Sequence, residues 1–132
     1  MNYNELTLHY FETAPGAGVL AGPDVFRGAA GNRAHGTWVQ FDLQVSGGII
    51  RAARFLAFAC PHTIAASAWV AEHAGGGAVS GAALPGGGVQ ELSERFAVPA
   101  EKRGRLLIIE DAWVAAVTGA LQRERRWQRQ SG

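Results

Sequence analysis

The feature that most constrains the fold is a run of strand, turn, strand and helix that extends from Gly36 to His73. Between Val39 and Val45 every second residue is apolar, which is the period-two pattern of a strand with one buried face. The glycines of Ser46–Gly48 tolerate the backbone angles of a tight reversal. The apolar run from Ile49 to Ala59 is therefore predicted to form a second, antiparallel strand.

The chain's only cysteine, Cys60, lies where the second strand ends and a helix begins. Pro61 suits the first turn of a helix, because its missing N–H has no partner to lose there. Apolar residues at helical spacing then predict a helix from Thr63 to Ala74. A thiol at the amino-terminal end of a helix, beside His62, has a lowered pKa and can act as a nucleophile or a metal ligand. The alternative for Cys60 is a small, buried apolar residue without a chemical role.

Length and composition limit the classes of protein to which the chain can belong. Its 132 residues predict a single domain, residues 1–132, and 48% hydrophobic with 17% charged residues is the composition of a globular protein. A net charge of +1 argues against a nucleic-acid partner, and the lack of a long apolar run argues against a membrane partner. A single cysteine cannot form an internal disulfide and suits a reducing compartment, so we expect a soluble, cytoplasmic protein.

Patterns on both sides of the central run complete the predicted fold. Asn4–Glu12 has the spacing of a short amphipathic helix, and Val25–Gly31 is a candidate edge strand. An apolar stripe predicts a long helix from Arg105 to Arg126, with residues 121–132 as its basic end or tail. The predicted fold class is α+β: a small three-stranded antiparallel sheet with helices packed on one face and a long C-terminal helix.

Several short motifs carry a resemblance to a known family, and they follow one another in that family's order. They are Gly47–Ile50, Ala53–Phe55, Cys60 followed by Ile64–Ser67, and Glu110–Ala112 in the last helix. Over nearly its whole length the chain resembles the iron–sulfur cluster assembly scaffolds, whose fold is shared with the amino-terminal domain of NifU. The resemblance implies one domain of that type over residues 1–132.

The resemblance also implies where a cluster site would lie, and most of its ligands are replaced in this chain. Family scaffolds hold a cluster with three cysteines, assisted by an aspartate and a histidine. In the loop of the first cysteine, His35 takes the place of the thiol and Thr37 that of the aspartate. The second cysteine is retained as Cys60, and the third lies in a His-Cys pair where this chain has Gly104 and Arg105.

These replacements change the chemistry that the site supports. Iron–sulfur clusters need anionic thiolates; histidine is an admissible substitute, whereas the permanent cation of Arg105 opposes metal binding. Cys60 and His35 are the predicted cluster ligands, and Cys60, His35 and His62 would suit a single zinc or iron ion if they converged. It is equally open that the protein binds no cofactor. The alternatives are a solvated loop histidine at His35 and a surface residue of the helix start at His62.

The resemblance implies a divergent scaffold-like protein that handles iron or sulfur through its one thiol, with a cysteine desulfurase-like or chaperone-like partner. The family's chaperone-binding segment is present in part, as Val98-Pro99-Ala100-Glu101-Lys102. A homodimer that shares a cluster between chains stays open. The second hypothesis is a partner-docking module of the same fold. The third is a small thiol enzyme with Cys60 as nucleophile and His35 or His62 as base. We rank the enzyme last, because no residue is evident that would orient the base.

Overall fold

The computed structural model describes residues 3–81 and 83–131, with the side chain of Ser131 left aside. Residues 1, 2, 82 and 132 of the predicted domain lie outside this description. No helix in the described part of the chain is both long and apolar enough to cross a membrane. In chain order the elements are α1 (Glu5–Thr13), β1 (Val25–Asn32), a 3-10 turn (Arg33–His35), β2 (Thr37–Ser46), β3 (Ile49–Phe58), α2 (Pro61–His73), α3 (Val89–Arg95), a second 3-10 turn (Ala100–Lys102) and α4 (Gly104–Ser131).

The three strands form one antiparallel sheet in the order β1-β2-β3. Phe41 in the central strand lies opposite Gly28 of β1 and Phe55 of β3. The sheet and the long C-terminal helix confirm the predicted α+β fold class.

The core lies between the sheet and α4. The alternate apolar residues of β2, from Val39 to Val45, are fully buried, and the ring of Phe41 meets that of Trp113 edge-on with centroids 5.8 Å apart. Gly28 allows the close approach of helix and sheet, because a Cβ atom there would lie 2.2 Å from the backbone nitrogen of Ala116. This contact fixes α4 across β1 and β2.

The strand-to-helix corner forms as the sequence predicts. Cys60 is the extended residue before α2, with φ −72° and ψ 163°, and its carbonyl accepts the first helical bond, from Ile64 N–H, at 3.0 Å. Helix α1 packs on α2, where the hydroxyl of Tyr10 donates to Glu72 at 2.6 Å. The thiol therefore lies at the start of a helix that packs against both α1 and β3.

On the other face of the sheet, Asp42 bonds the segment from Gly16 to Leu20, which crosses the strands. The segment from Gly16 to Leu20 first bonds the free edge of β3, where Gly18 N–H donates to the carbonyl of Phe55 at 2.8 Å. It then reaches Asp42, whose carboxylate accepts the N–H of Leu20 at 2.9 Å. This arrangement buries Asp42, although its place in the alternation of β2 puts it on the polar face.

Candidate functional site

One end of the sheet brings together the turn after β1, the start of α2 and the start of α4. A depression of about 460 Å³ opens there, and we call it the site pocket. It contains five residues that the sequence singled out, from segments far apart in the chain. Its lining includes Asn32, His35, Thr37, Glu101, Gly104 and Arg105.

The Cys60 thiol lies beside this pocket and is half-buried. Its Sγ is 3.4 Å from Oγ1 of Thr63, and it also interacts with the Thr63 backbone and with the guanidinium of Arg105. Burial raises the pKa of the thiol, but the hydrogen bonds from Thr63 and Arg105, together with the Arg105 charge, outweigh burial and lower the pKa below its ordinary value. The site therefore favours the thiolate, which is the reactive form of cysteine.

The sequence pattern alone does not assign Thr63 a part in the site. Its signal was its place three residues after Cys60, because a residue at that position of a helix can reach back to the residue that precedes the helix. Arg105 approaches the thiol from a different direction, at the start of α4. The thiol is thus held by one neighbour from its own helix and one from α4.

His62 is only 2% exposed, so its interpretation as a surface residue is wrong. Its ring packs edge-on against Tyr3 with centroids 4.7 Å apart, and its Nδ1 has no hydrogen-bond partner among residues 3–81 and 83–131. Burial lowers the pKa of this imidazole, and the positive charge of Lys102 lowers it further. His62 is therefore a core histidine that favours the neutral form.

His35 ends the 3-10 turn after β1 and lies exposed on the rim of the site pocket. Asn32 begins this turn, where its Oδ1 accepts the N–H of Ala34 at 2.7 Å. Within the described residues, no group of three or more His, Cys, Asp or Glu side chains is arranged to hold a metal ion. The structure thus does not assemble His35, Cys60 and His62 as a metal site. His35 lies on the exposed rim, whereas His62 is packed into the interior.

The segment predicted to bind a partner, Val98–Lys102, is only partly available. Val98 is buried in the core, and its N–H donates to the carbonyl of Ser93 at 2.8 Å. The remainder forms the short turn before α4, and Glu101 from this turn reaches the site pocket. A partner would therefore meet Pro99–Lys102 and not the side chain of Val98.

These features define a three-stranded α+β domain with a half-buried thiol of lowered pKa at the corner between β3 and α2. Residues 2–126 match the family model described as the NifU-like N terminal domain, and the chain belongs to this family. No curated protein matched the chain.

Two solved structures share the fold. A NifU-like protein (N-terminal) from Brucella abortus is 19% identical, with a TM-score of 0.68 over 90% of this chain and 94% of its own. A protein described as a candidate iron–sulfur cluster assembly scaffold for the SUF system, from Fervidobacterium islandicum AW-1, is 16% identical. Its TM-score is 0.64 over 87% of this chain and 96% of its own. At these identities the likeness concerns the fold alone.

The side chains at the site do not fit an iron–sulfur cluster held by one chain. Cys60 is the only thiol, and Arg105 brings a permanent positive charge to it. Two-iron and four-iron clusters take four protein ligands, mainly thiolates, whose negative charge offsets that of the iron. One thiolate beside a guanidinium falls far short of that requirement.

Proposed function

We propose that the chain acts in iron–sulfur cluster assembly as a divergent, scaffold-like protein that handles sulfur through Cys60. Membership of the NifU-like family over residues 2–126 supports the assembly role. The observation that carries the proposal is the Cys60 thiol held by Thr63 and Arg105, with its pKa lowered. Of iron and sulfur, sulfur is the better cargo, because Arg105 opposes a metal cation but stabilises an anionic sulfur.

The proposed chemistry is the transfer of one sulfur atom from a partner of the cysteine desulfurase type. The Cys60 thiolate attacks the outer sulfur of a persulfide on the partner, and a new S–S bond forms on Cys60. The partner's own S–S bond breaks, and its thiolate leaves with the electron pair. Cys60 then carries the persulfide without any metal or external oxidant, so the chain acts as a carrier and not as an enzyme. The transfer needs Cys60 as a free thiol, which a reducing compartment such as the cytoplasm maintains.

A low-molecular-weight persulfide, such as glutathione persulfide, tests this transfer by mass spectrometry. The wild type should gain one sulfur atom on Cys60, and Cys60→Ser should gain none. Arg105→Leu should react more slowly near neutral pH, because it loses the cation that favours the thiolate. Arg103→Leu, which alters a neighbouring exposed arginine, is the matched control and should react like the wild type. Sulfur transfer fails as the function if Cys60 alkylates readily yet takes up no sulfur.

A docking role without sulfur chemistry is the second candidate. Phe58 and Leu107 are 52% and 51% exposed, and they lie two residues along the chain from Cys60 and Arg105, respectively. Exposed apolar side chains near a site are typical of a surface that binds a partner. Cys60→Ser separates the two roles, since docking of a desulfurase-like or chaperone-like partner would survive this change and sulfur transfer would not.

A further inference from the structure

Apart from Glu101, the polar side chains that line the site pocket are cations or hydrogen-bond donors. Arg105 presents a guanidinium, whose fork of N–H groups matches the two oxygens of a carboxylate or phosphate. Asn32 uses its Oδ1 to accept from Ala34, which leaves its amide N–H groups as donors. His35 adds an imidazole on the rim. This set suits a negatively charged ligand far better than a metal ion.

Thr37 adds a hydroxyl group that is open to the site pocket. It is only 4% exposed, and the alternation of β2 places it on the same side as Val39, facing α4. Thr37 also lines the site pocket, and within the described residues its hydroxyl makes no hydrogen bond and its oxygen is not fully enclosed. This hydroxyl is therefore open to an oxygen atom that enters the pocket.

The start of α4 adds a positive electrostatic potential that favours an anion. The helix begins at Gly104, which lines the pocket, and extends over 28 residues. The first N–H groups of a helix lack intrahelical partners and carry the positive end of its dipole. A helix start alone would not define a site, but here it coincides with Arg105 and the unpartnered Thr37 hydroxyl.

Glu101 is the one acidic side chain among the lining residues. Its carboxylate would repel an anion, although the two segments that form the pocket also carry Arg33, Lys102 and Arg105. The volume of about 460 Å³ exceeds that of a bare inorganic ion, and Ile108 supplies an apolar wall. The pocket thus has room for a small organic body behind an anionic group.

From these contacts we propose that the site pocket binds the oxyanion group, phosphate or carboxylate, of a small molecule beside Cys60. Arg105, Thr37 and the start of α4 contact the oxygens. The positions at which the family keeps metal-binding thiolates are thereby used for an anion. This site goes beyond sulfur transfer and does not depend on it, because none of its contacts requires a reactive thiol.

Titration with inorganic phosphate and, separately, with acetate tests the proposal by NMR of the backbone amides. Constant ionic strength, balanced with chloride, removes general screening effects. We expect saturable shifts at Asn32, Thr37, Gly104 and Arg105, and the tighter anion identifies the class of ligand. Arg105→Leu should weaken binding about tenfold, the usual loss for a charge-assisted hydrogen bond. Arg103→Leu should bind like the wild type.

Glu101→Gln supplies a test in the opposite direction, because removing the repulsive carboxylate should tighten binding roughly twofold to threefold. This exposed change does not depend on whether Arg105→Leu folds normally. The proposal is overturned if neither anion shifts the pocket amides saturably, or if Arg105→Leu binds as tightly as the wild type. Because sulfur uptake by Cys60 is measured separately, either proposal can fail without the other.

Discussion

Asp42 and the site pocket are two polar regions of the same sheet, and they differ in how fully their polar groups are paired. Asp42 is 1% exposed, and its carboxylate accepts Leu20 N–H at 2.9 Å, Arg27 Nε at 2.7 Å and Arg27 Nη2 at 2.9 Å. At the site end, His62 Nδ1 has no partner in the described part of the chain, and the Thr37 hydroxyl is open to the pocket. The fully paired carboxylate holds the fold together, whereas polar groups open to a pocket can bond a ligand.

Asp42 and Cys60 also differ in how each is held by its neighbouring cation. Burial raises the pKa of Asp42, but the hydrogen bonds from Arg27 and Leu20 and the Arg27 charge outweigh it and lower that pKa. Arg27 lies directly opposite Asp42 in the register of β1 and β2, so the sheet itself fixes the pair. Arg105 reaches Cys60 from the start of a separate helix and also lines an open pocket. The first pair lies within the sheet, whereas the second borders an open pocket.

Asp42→Ala should have the largest effect on stability. It removes a buried carboxylate that joins β1, β2 and the segment before β1, and we expect the free energy of unfolding to fall by about 2–3 kcal/mol. Asp24→Ala is the matched control, because Asp24 pairs with Arg123 at an exposed position and should cost less than about 1 kcal/mol. Urea unfolding measures both, and equal losses would remove the distinction between the two carboxylates.

Lowering the pH should also remove the contribution of the Asp42 carboxylate to the free energy of unfolding. Because the folded state lowers the pKa of Asp42, its stabilising contribution is fully present above the unfolded value of about 3.9 and is lost as the pH falls through the folded pKa. The free energy of unfolding should therefore decrease below about pH 4, and Asp42→Asn should flatten that decrease. A pH profile identical in the variant would show that Asp42 is not coupled to folding.

Apart from its effect on anion binding, Arg105→Leu should produce the smallest of these changes, in the reactivity of Cys60. Without the guanidinium the pKa of the thiol should rise, and alkylation by iodoacetamide near neutral pH should slow roughly twofold to fivefold, as expected for a partly exposed charge. Arg103→Leu should leave the rate unchanged. If the pH profile of alkylation were the same in Arg105→Leu, the two groups would be uncoupled.

The sequence predicts which elements form this site but not the contacts that their side chains make. Period-two alternation identifies the buried face of β2, and Pro61 after the apolar run locates Cys60 at the strand-to-helix corner. The same alternation places Asp42 on the polar face, yet a crossing segment and Arg27 bury it. His62 is buried against Tyr3, a contact between distant parts of the chain that no local pattern predicts. Local periodicity records which face a residue occupies, and tertiary contacts decide what covers that face.

We conclude that the site lacks the ligands for a cluster within one chain, because its single thiol lies beside a cation. Anaerobic reconstitution with iron and sulfide, followed by size-exclusion chromatography with absorption spectroscopy, tests it directly. We predict little thiolate-to-iron charge-transfer absorption in the monomer fraction of the wild type. The double variant His35→Cys, Arg105→Cys places thiols at both altered family positions and should gain that absorption. A strong, stoichiometric cluster spectrum from wild-type monomer would contradict the claim.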